Sequence, residues 1–305
     1  MGRYALRRLL SALLLALFVS FLSYVLIYAS GDPAVALAGE SGSAADAERM
    51  RLAYGLDQPV YAQYLHWVWS ILHGNIGRSL YFDQPVSAIL AGRLGITMIL
   101  GVSAIVFALA ISLPLGIAAA RWQGTAVDHL VRSFAVIGQA MPTFWFALLL
   151  VILLSVTYPI LPTSGSESWR HFIMPTITLG YFAAPALIRL TRSGMIQVLE
   201  ADYIRTAQAM GIPGRRVLFR YALRNAVIPV VSLSAAQFGY LLAGSVVVET
   251  VFAVHGAGLL ASESIKRSDL PTIQALVLCF SMIYVVLTLA ADLVNAWLDP
   301  RMRSR

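Results

Sequence analysis

Charge is scarce in this sequence. Asp, Glu, Lys and Arg make up 12% of its 305 residues, against about 25% in a typical soluble domain. Hydrophobic residues make up 59%, and the mean hydropathy is +0.75. A water-soluble core of this size has no use for so much apolar sequence, whereas lipid solvates an apolar helix on every side. Cysteine occurs once, as Cys279 inside an apolar run. This excludes an intrachain disulfide and marks the residue as packing. The five histidines (His66, His73, His129, His171, His255) have no metal-ligand spacing to one another or to the cysteine. No GxxxxGK[ST] phosphate loop and no GxSxG nucleophile motif occurs.

What is present is a series of long apolar runs. A hydrocarbon core about 30 Å thick needs about 20 helical residues. By that measure the chain has six candidate spans, at about 9–29, 94–120, 134–158, 173–190, 226–252 and 272–298. The fold class is therefore an all-α membrane protein with six transmembrane helices. The first span has a basic start (Arg3, Arg7, Arg8), but its apolar stretch exceeds that of a signal peptide and no A-x-A site follows. It is read as uncleaved.

Orientation follows the basic residues. With the N-terminus in the cytoplasm, six crossings place 15 Lys and Arg on the cytoplasmic side and 7 outside. The acids Asp32, Glu40, Asp46, Glu48, Asp57, Asp83, Glu167, Glu263 and Asp269 fall outside. Both termini are then cytoplasmic, in a multi-pass inner-membrane protein. The net charge of +7 is a topology signal, since no stretch interleaves dense Lys and Arg with aromatics as a nucleic-acid surface does.

Four regions follow: the N-terminus and first helix (1–30), an external segment (31–92), a transmembrane domain (93–298) and a short tail (299–305). In the external segment Gly31, Asp32 and Pro33 signal a turn. Residues 39–47 are small, as in a flexible loop. Residues 48–72 have a helical pattern, with Tyr61, Tyr64, Trp67 and Trp69 placed as an interfacial belt.

The most informative stretch lies between the fourth and fifth spans. From Met195 to Met210 apolar residues recur at helical spacing, at Ile196, Leu199, Tyr203, Ala207 and Met210. Gly211 suits a left-handed helix end, and Pro213 suits the first turn of the next helix. From Gly214 to Arg224 the pattern is helical again, with Arg215, Arg216, Arg220 and Arg224 interspersed. Two destinations fit this basic amphipathic hairpin: anionic lipid headgroups, or a groove on a partner. Small Ala207, Ala209 and Gly211 at the bend would allow close backbone approach to a partner.

These residues resemble the EAA loop of permease subunits of ABC importers. The family's Glu-Ala-Ala triplet and following Gly fall on Arg205, Thr206, Ala207 and Gly211, with Arg and Thr in place of Glu and the first Ala. DYIRTAQAMG (202–211) and LRNAVIPVV (223–231) are similar to the peptide branch. The resemblance extends to RYALRRLL (3–10), GDPA (31–34), YGLDQPVYAQY (54–64), GNIGRSL (74–80), MPTITLG (174–180), LTRSGM (190–195), GSVVVETVF (244–252) and LDPRMR (298–303). It covers essentially the whole chain and points to the first permease of dipeptide, oligopeptide, nickel and glutathione importers. The stretch from Gly165 to Gly180 is most similar to the glutathione-type members.

The resemblance implies the fold of a type I ABC importer transmembrane domain with a periplasmic insertion after the first helix. It implies a second permease subunit as pore partner, two cytoplasmic ATPase subunits and a substrate-binding protein. ATP and Mg would be bound by the ATPases, and this chain, not itself an enzyme, would bind no cofactor or metal. Its coupling helix would run from Ala201 to Gly211, with Glu200, Ala201, Asp202, Arg205, Thr206, Ala207, Gly211 and Arg215 meeting an ATPase.

Polar groups within spans are costly and often line pathways. Gln139, Gln237, Glu249 and Gln274 are the candidates here for pathway or gate. Asp292 and Asn295 lie toward the inner end of the sixth span, where Asp292 is read as structural. Pro142, Pro175 and Pro185 are expected to kink spans. A membrane-embedded hydrolase lacks a nucleophile and base at membrane depth. A self-sufficient channel or secondary transporter would need midplane ionisable pairs or repeated halves, and neither is visible. Nickel or another small solute is the alternative cargo.

Overall fold

The computed structural model describes residues 2–30, 32–38, 42–53 and 55–298. The tail 299–305, Gly31 of the predicted turn and residues 39–41 of the predicted loop lie outside the described residues, as do the side chains of Asp292 and Asn295. The described residues are mainly helical: α1 (Gly2–Ser30), α2 (Pro33–Ala38), α3 (Ala44–Ala53), α4 (Val60–Leu72), α5 (Val86–Arg121), α6 (Ala126–Ala140), α7 (Thr143–Val151), α8 (Ile173–Leu199), α9 (Asp202–Ala209), α10 (Gly214–Arg216), α11 (Leu223–Ala226), α12 (Ile228–Val251), α13 (Ala257–Lys266) and α14 (Leu270–Leu298). One isolated bridge, Arg78 to Pro85, is the only β pairing among the described residues.

Among the described residues four helices are long and apolar enough to cross a bilayer, at Val86–Arg121, Trp169–Leu199, Ile228–Val251 and Leu270–Ala290. Ala126–Ala140 and Thr143–Thr157 reach the same length and apolarity only when taken together, as a broken span or a re-entrant pair. In α1 the apolar stretch among described side chains is Leu13–Leu26.

The structure corrects several boundaries. The second span begins eight residues before Leu94, at Val86. The third candidate, 134–158, begins earlier, at Ala126, and is bent by 100° at the expected proline. Its break follows from Pro142, which forces Met141 into an extended conformation (φ −89°, ψ 135°). Pro175 sits in the first turn of α8, where its missing N–H costs nothing, while Pro185 lies inside the helix. The fourth span continues past Leu190 to Leu199. Between the first two predicted spans α3 starts at Ala44, within the predicted loop. Gly55 (φ +64°) and Pro59 then separate α3 from α4.

The contacts divide the chain into two compact units. One comprises Met1–Thr97 with His255–Val285, the other Met98–Val254 with Val286–Arg305. In the first unit α4 packs on α1 through aromatic rings. Tyr64 is buried, meets Phe21 and Tyr24 edge-on at 5.1 and 5.8 Å, and lies 2.7 Å through its hydroxyl from Ser20 Oγ. Tyr61 and Trp69, on the other face, are exposed. A second core joins the start of α5 to α13 and α14 through Val86, Leu90, Ala257, Leu260, Ala275 and Leu276.

In the second unit α5 and α8 approach each other closely. On α5, Ala104, Ala108, Ser112 and Gly116 recur every fourth residue and make one stripe. Opposite them lie Gly180, Ala184 and Ile188 of α8. Ser112 Oγ donates to the Ala184 carbonyl at 3.0 Å. Lipid tails are as apolar as leucine, so helices in a bilayer associate through such contact between small residues. A Cβ on Gly180 would fall 2.7 Å from the Ala104 carbonyl oxygen and 2.6 Å from Phe107. Gly180→Ala is expected to destabilise this unit by about 1–3 kcal/mol, read as earlier thermal unfolding in detergent. Gly244→Ala is the contrast: its Cβ would meet only Leu179 at 3.7 Å, and a helical glycine gains up to about 1 kcal/mol on becoming alanine.

Candidate functional site

The segment after α8 does not continue as one helix to Met210. Ala201 is extended (φ −70°, ψ 147°), and α9 starts anew at Asp202. The turn redirects Ile204 and Ala207 onto Met195, Val217, Ala222 and Ala226, where both are buried. A straight continuation of α8 would carry them away from that cluster. Ala207 therefore faces its own chain, which corrects the expectation that it opens the bend to a partner.

The opposite face of α9 is free. Glu200, Asp202, Tyr203, Arg205, Thr206, Met210 and Gly211 are exposed, and Ala201 is half-buried. Asp202 and Arg205 pair loosely at 3.6 Å, and Thr206 Oγ1 donates to the Asp202 carbonyl at 3.0 Å. Gly211 has φ +74°, the left-handed turn expected of it, with open space where a Cβ would be. Beyond it Pro213, Arg215, Arg216 and Phe219 line a depression beside α9. The returning strand of helix passes through one π turn, Val217–Ala222. Asn225 Nδ2 donates to the Tyr203 hydroxyl at 2.8 Å, tying it to α9.

The four pathway candidates lie on three different helices, α6, α12 and α14. Gln139 ends α6 and is exposed, with its Oε1 accepting from Arg189 Nη1 at 2.9 Å. Gln237 is half-buried on α12. Glu249 is fully buried near the end of the same helix. Gln274, in the first unit, lines a cavity of about 700 Å³ together with Gln63, Trp67, Ser70, Arg78 and Asp83. Asp83 is exposed there, and hydrogen bonding from Arg78 holds its carboxyl below the usual value.

Two acidic groups have partners that no local pattern announces. Asp128, in the first turn of α6, is 1% exposed. Its carboxylate accepts both Nε and Nη2 of Arg192 on α8, at 2.6 and 2.7 Å. It also accepts the Gly124 N–H at 3.0 Å, with Arg132 at 3.5 Å. Asp269 is fully buried at the start of α14. It takes the Ser79 hydroxyl, the Leu80 N–H and the Thr272 hydroxyl, tying the 75–86 segment to that helix. Nothing in the local sequence announces either residue, because Arg192 is 64 positions from Asp128 and Ser79 is 190 from Asp269. Among the described residues no cluster of three or more His, Cys, Asp or Glu could hold a metal ion.

Comparison with known proteins places this architecture. Residues 112–304 match the family described as binding-protein-dependent transport system inner membrane component. Residues 1–101 match the N-terminal region of the same kind of component. The glutathione transport system permease protein GsiC of Salmonella typhimurium is 39% identical over 304 residues, 99% of each chain. GsiC of Escherichia coli is 38% identical over the same extent. Among solved structures, an inward-facing MetNI methionine ABC transporter aligns with a TM-score of 0.59 at 18% identity, covering 70% of this chain and 98% of the other. An amino acid ABC transporter aligns with a TM-score of 0.51 at 16% identity, covering 70% and 94%. The fold is thus the one expected, an all-α ABC importer permease, and the chain belongs to the family of inner membrane components of binding-protein-dependent transport systems.

Proposed function

We propose that this chain forms half of the pore of an ATP-driven importer for short peptides, with glutathione as its cargo. The reading is supported chiefly by the full-length similarity to permeases named for glutathione transport. The chain crosses the membrane six times, with α1 as the first crossing and both termini in the cytoplasm. A second permease completes the pore, a binding protein delivers the cargo from outside, and two separate ATPases supply the energy. ATP and Mg are held by those ATPases.

The coupling element in this reading is the free face of α9 with the turn after it. Glu200, Asp202, Arg205 and Thr206 present charge and hydrogen-bonding groups. Met210 and Gly211 form the tip, and Arg215 follows. Ile204 and Ala207 anchor the helix from behind, so that a push on α9 is transmitted to α8 and to the helix entering α12. Gln139, Gln237, Glu249 and Gln274 are the pathway or gate residues.

The test is uptake of radiolabelled glutathione into proteoliposomes that hold the whole importer, with ATP inside and binding protein outside. No ATP-dependent uptake, or accumulation of nickel in place of the peptide, would sink the reading. Within that assay Gly211→Glu is expected to abolish uptake, by more than about tenfold, while the protein still inserts. Its Cβ meets nothing, so the fold pays only the left-handed strain of about 1–2 kcal/mol. Gly211→Asn, which tolerates that conformation, should keep most of the activity. Equal uptake by Gly211→Glu would remove α9 from the coupling role.

A further inference from the structure

We infer that Arg189 lines the water-filled side of the pore and takes the carboxylate of the passing cargo, an assignment that rests on the peptide-importer reading above. Three residues of α8 are exposed: Arg189, Ser193 and Gln197. They are spaced four apart, so they form one stripe about 12 Å long, and all three are polar. The corresponding exposed residues of α5 from Ile99 to Pro114 are Ile99, Val102, Val106, Ala110 and Pro114, all apolar. On α7 they are Phe144, Trp145, Leu148 and Leu149. Those surfaces suit lipid or an apolar partner face. The stripe on α8 suits neither.

Position along the helix supports the assignment. Arg189 lies sixteen residues beyond Ile173, about 24 Å along α8, and ten residues before the helix ends at Leu199. At the level of its neighbour Ile188 the backbone meets Gly116 of α5, and α5 continues for five residues beyond that point. An arginine inside a spanning helix marks a pathway when it faces a water-filled space.

The partners of the two α8 arginines differ in kind. Arg192 is neutralised by buried Asp128. Among the described residues Arg189 holds only the neutral amide oxygen of Gln139, leaving most of its five N–H donors open to a ligand. A planar fork with open donors matches a carboxylate in two parallel hydrogen bonds. Gln139 also stands two residues before Met141, where the 100° break begins. Such a break frees carbonyls of the last α6 turn, and freed backbone groups are tolerated at membrane depth where they line a water-filled cavity. Arginine, glutamine and the broken helix end therefore share one wet surface.

The test uses the complete importer in proteoliposomes with radiolabelled glutathione. Arg189→Gln is expected to lower uptake by about tenfold or more, the scale of one lost charge-assisted hydrogen bond. ATPase activity stimulated by loaded binding protein should persist. Arg189→Lys keeps the charge and should recover uptake to within about threefold of the parent. A loss of uptake and stimulated ATPase together would assign Arg189 to assembly and overturn the inference. Uptake by Arg189→Gln equal to the parent would overturn it alone, whereas no uptake by the unsubstituted importer overturns the peptide-importer reading as well. A second measurement does not depend on tolerance of the arginine change. In a Cys279→Ser background, Ser193→Cys should react with a charged thiol reagent and Val106→Cys should not. Failure of Ser193→Cys to react would place the stripe out of water and overturn the assignment.

Discussion

Replacing Asp128 by alanine is expected to cost the folded permease about 3–5 kcal/mol, the usual penalty for removing one partner of a buried ion pair. The carboxylate side chain is 2% exposed and its Arg192 partner 21%, so little water can replace the lost bonds. Two donors of Arg192 and the Gly124 N–H lose their acceptor together. A typical domain has only about 5–15 kcal/mol in total, so much of the protein should unfold or be degraded. Denaturant unfolding in detergent gives the measurement. The double change Asp128→Ala with Arg192→Leu removes the stranded charge as well and should recover most of the loss. If the single and double variants are equally unstable, the pair is not the cause. The expectation also fails if Asp128→Ala unfolds like the parent.

Asp269→Ala should act locally and almost as strongly. The fully buried carboxylate receives three donors, from Ser79, Leu80 and Thr272. Each orphaned buried donor costs about 1–3 kcal/mol, and some relief comes from rotation of the two hydroxyls. A net loss of about 3 kcal/mol is expected for the contact between the 75–86 segment and α14. Arg78 on that segment is already well exposed, so trypsin provides the readout. Cleavage after Arg78 should accelerate at least tenfold in the variant, by the population of released segment, while Asp269→Asn should fall between. Unchanged cleavage would show that the apolar contacts of Val86 and Leu90 hold the segment without Asp269.

These two residues also show where the sequence is silent. Apolar run length located the helices well, because the bilayer imposes a ruler that any window can apply. The turn at Gly211 was legible because only glycine takes φ +74° without strain. Arg189 and Arg192 were read as the end of a span because charge usually marks an interface. Their partners Gln139 and Asp128 lie 50 and 64 residues away, beyond the reach of any local pattern. The inward face of Ala207 was hidden for a related reason. The break at Ala201 responds to the distant apolar pocket formed by Val217 and Ala222, and no local signal sets it. α13 has only ten residues and was passed over, since the ruler for spans ignores short helices.

The seam between α5 and α8 has a thermal consequence. A core in water loses strength on cooling, because its driving force comes from hydrating apolar surface and carries a large heat-capacity change. Separating Gly180 from Ala104, or Ser112 from Ala184, within a bilayer exposes these groups to acyl chains and not to water. Little heat capacity should accompany that separation. The contact between these two helices is therefore nearly indifferent to cold, and low temperature should act on this protein first through its water-facing segments.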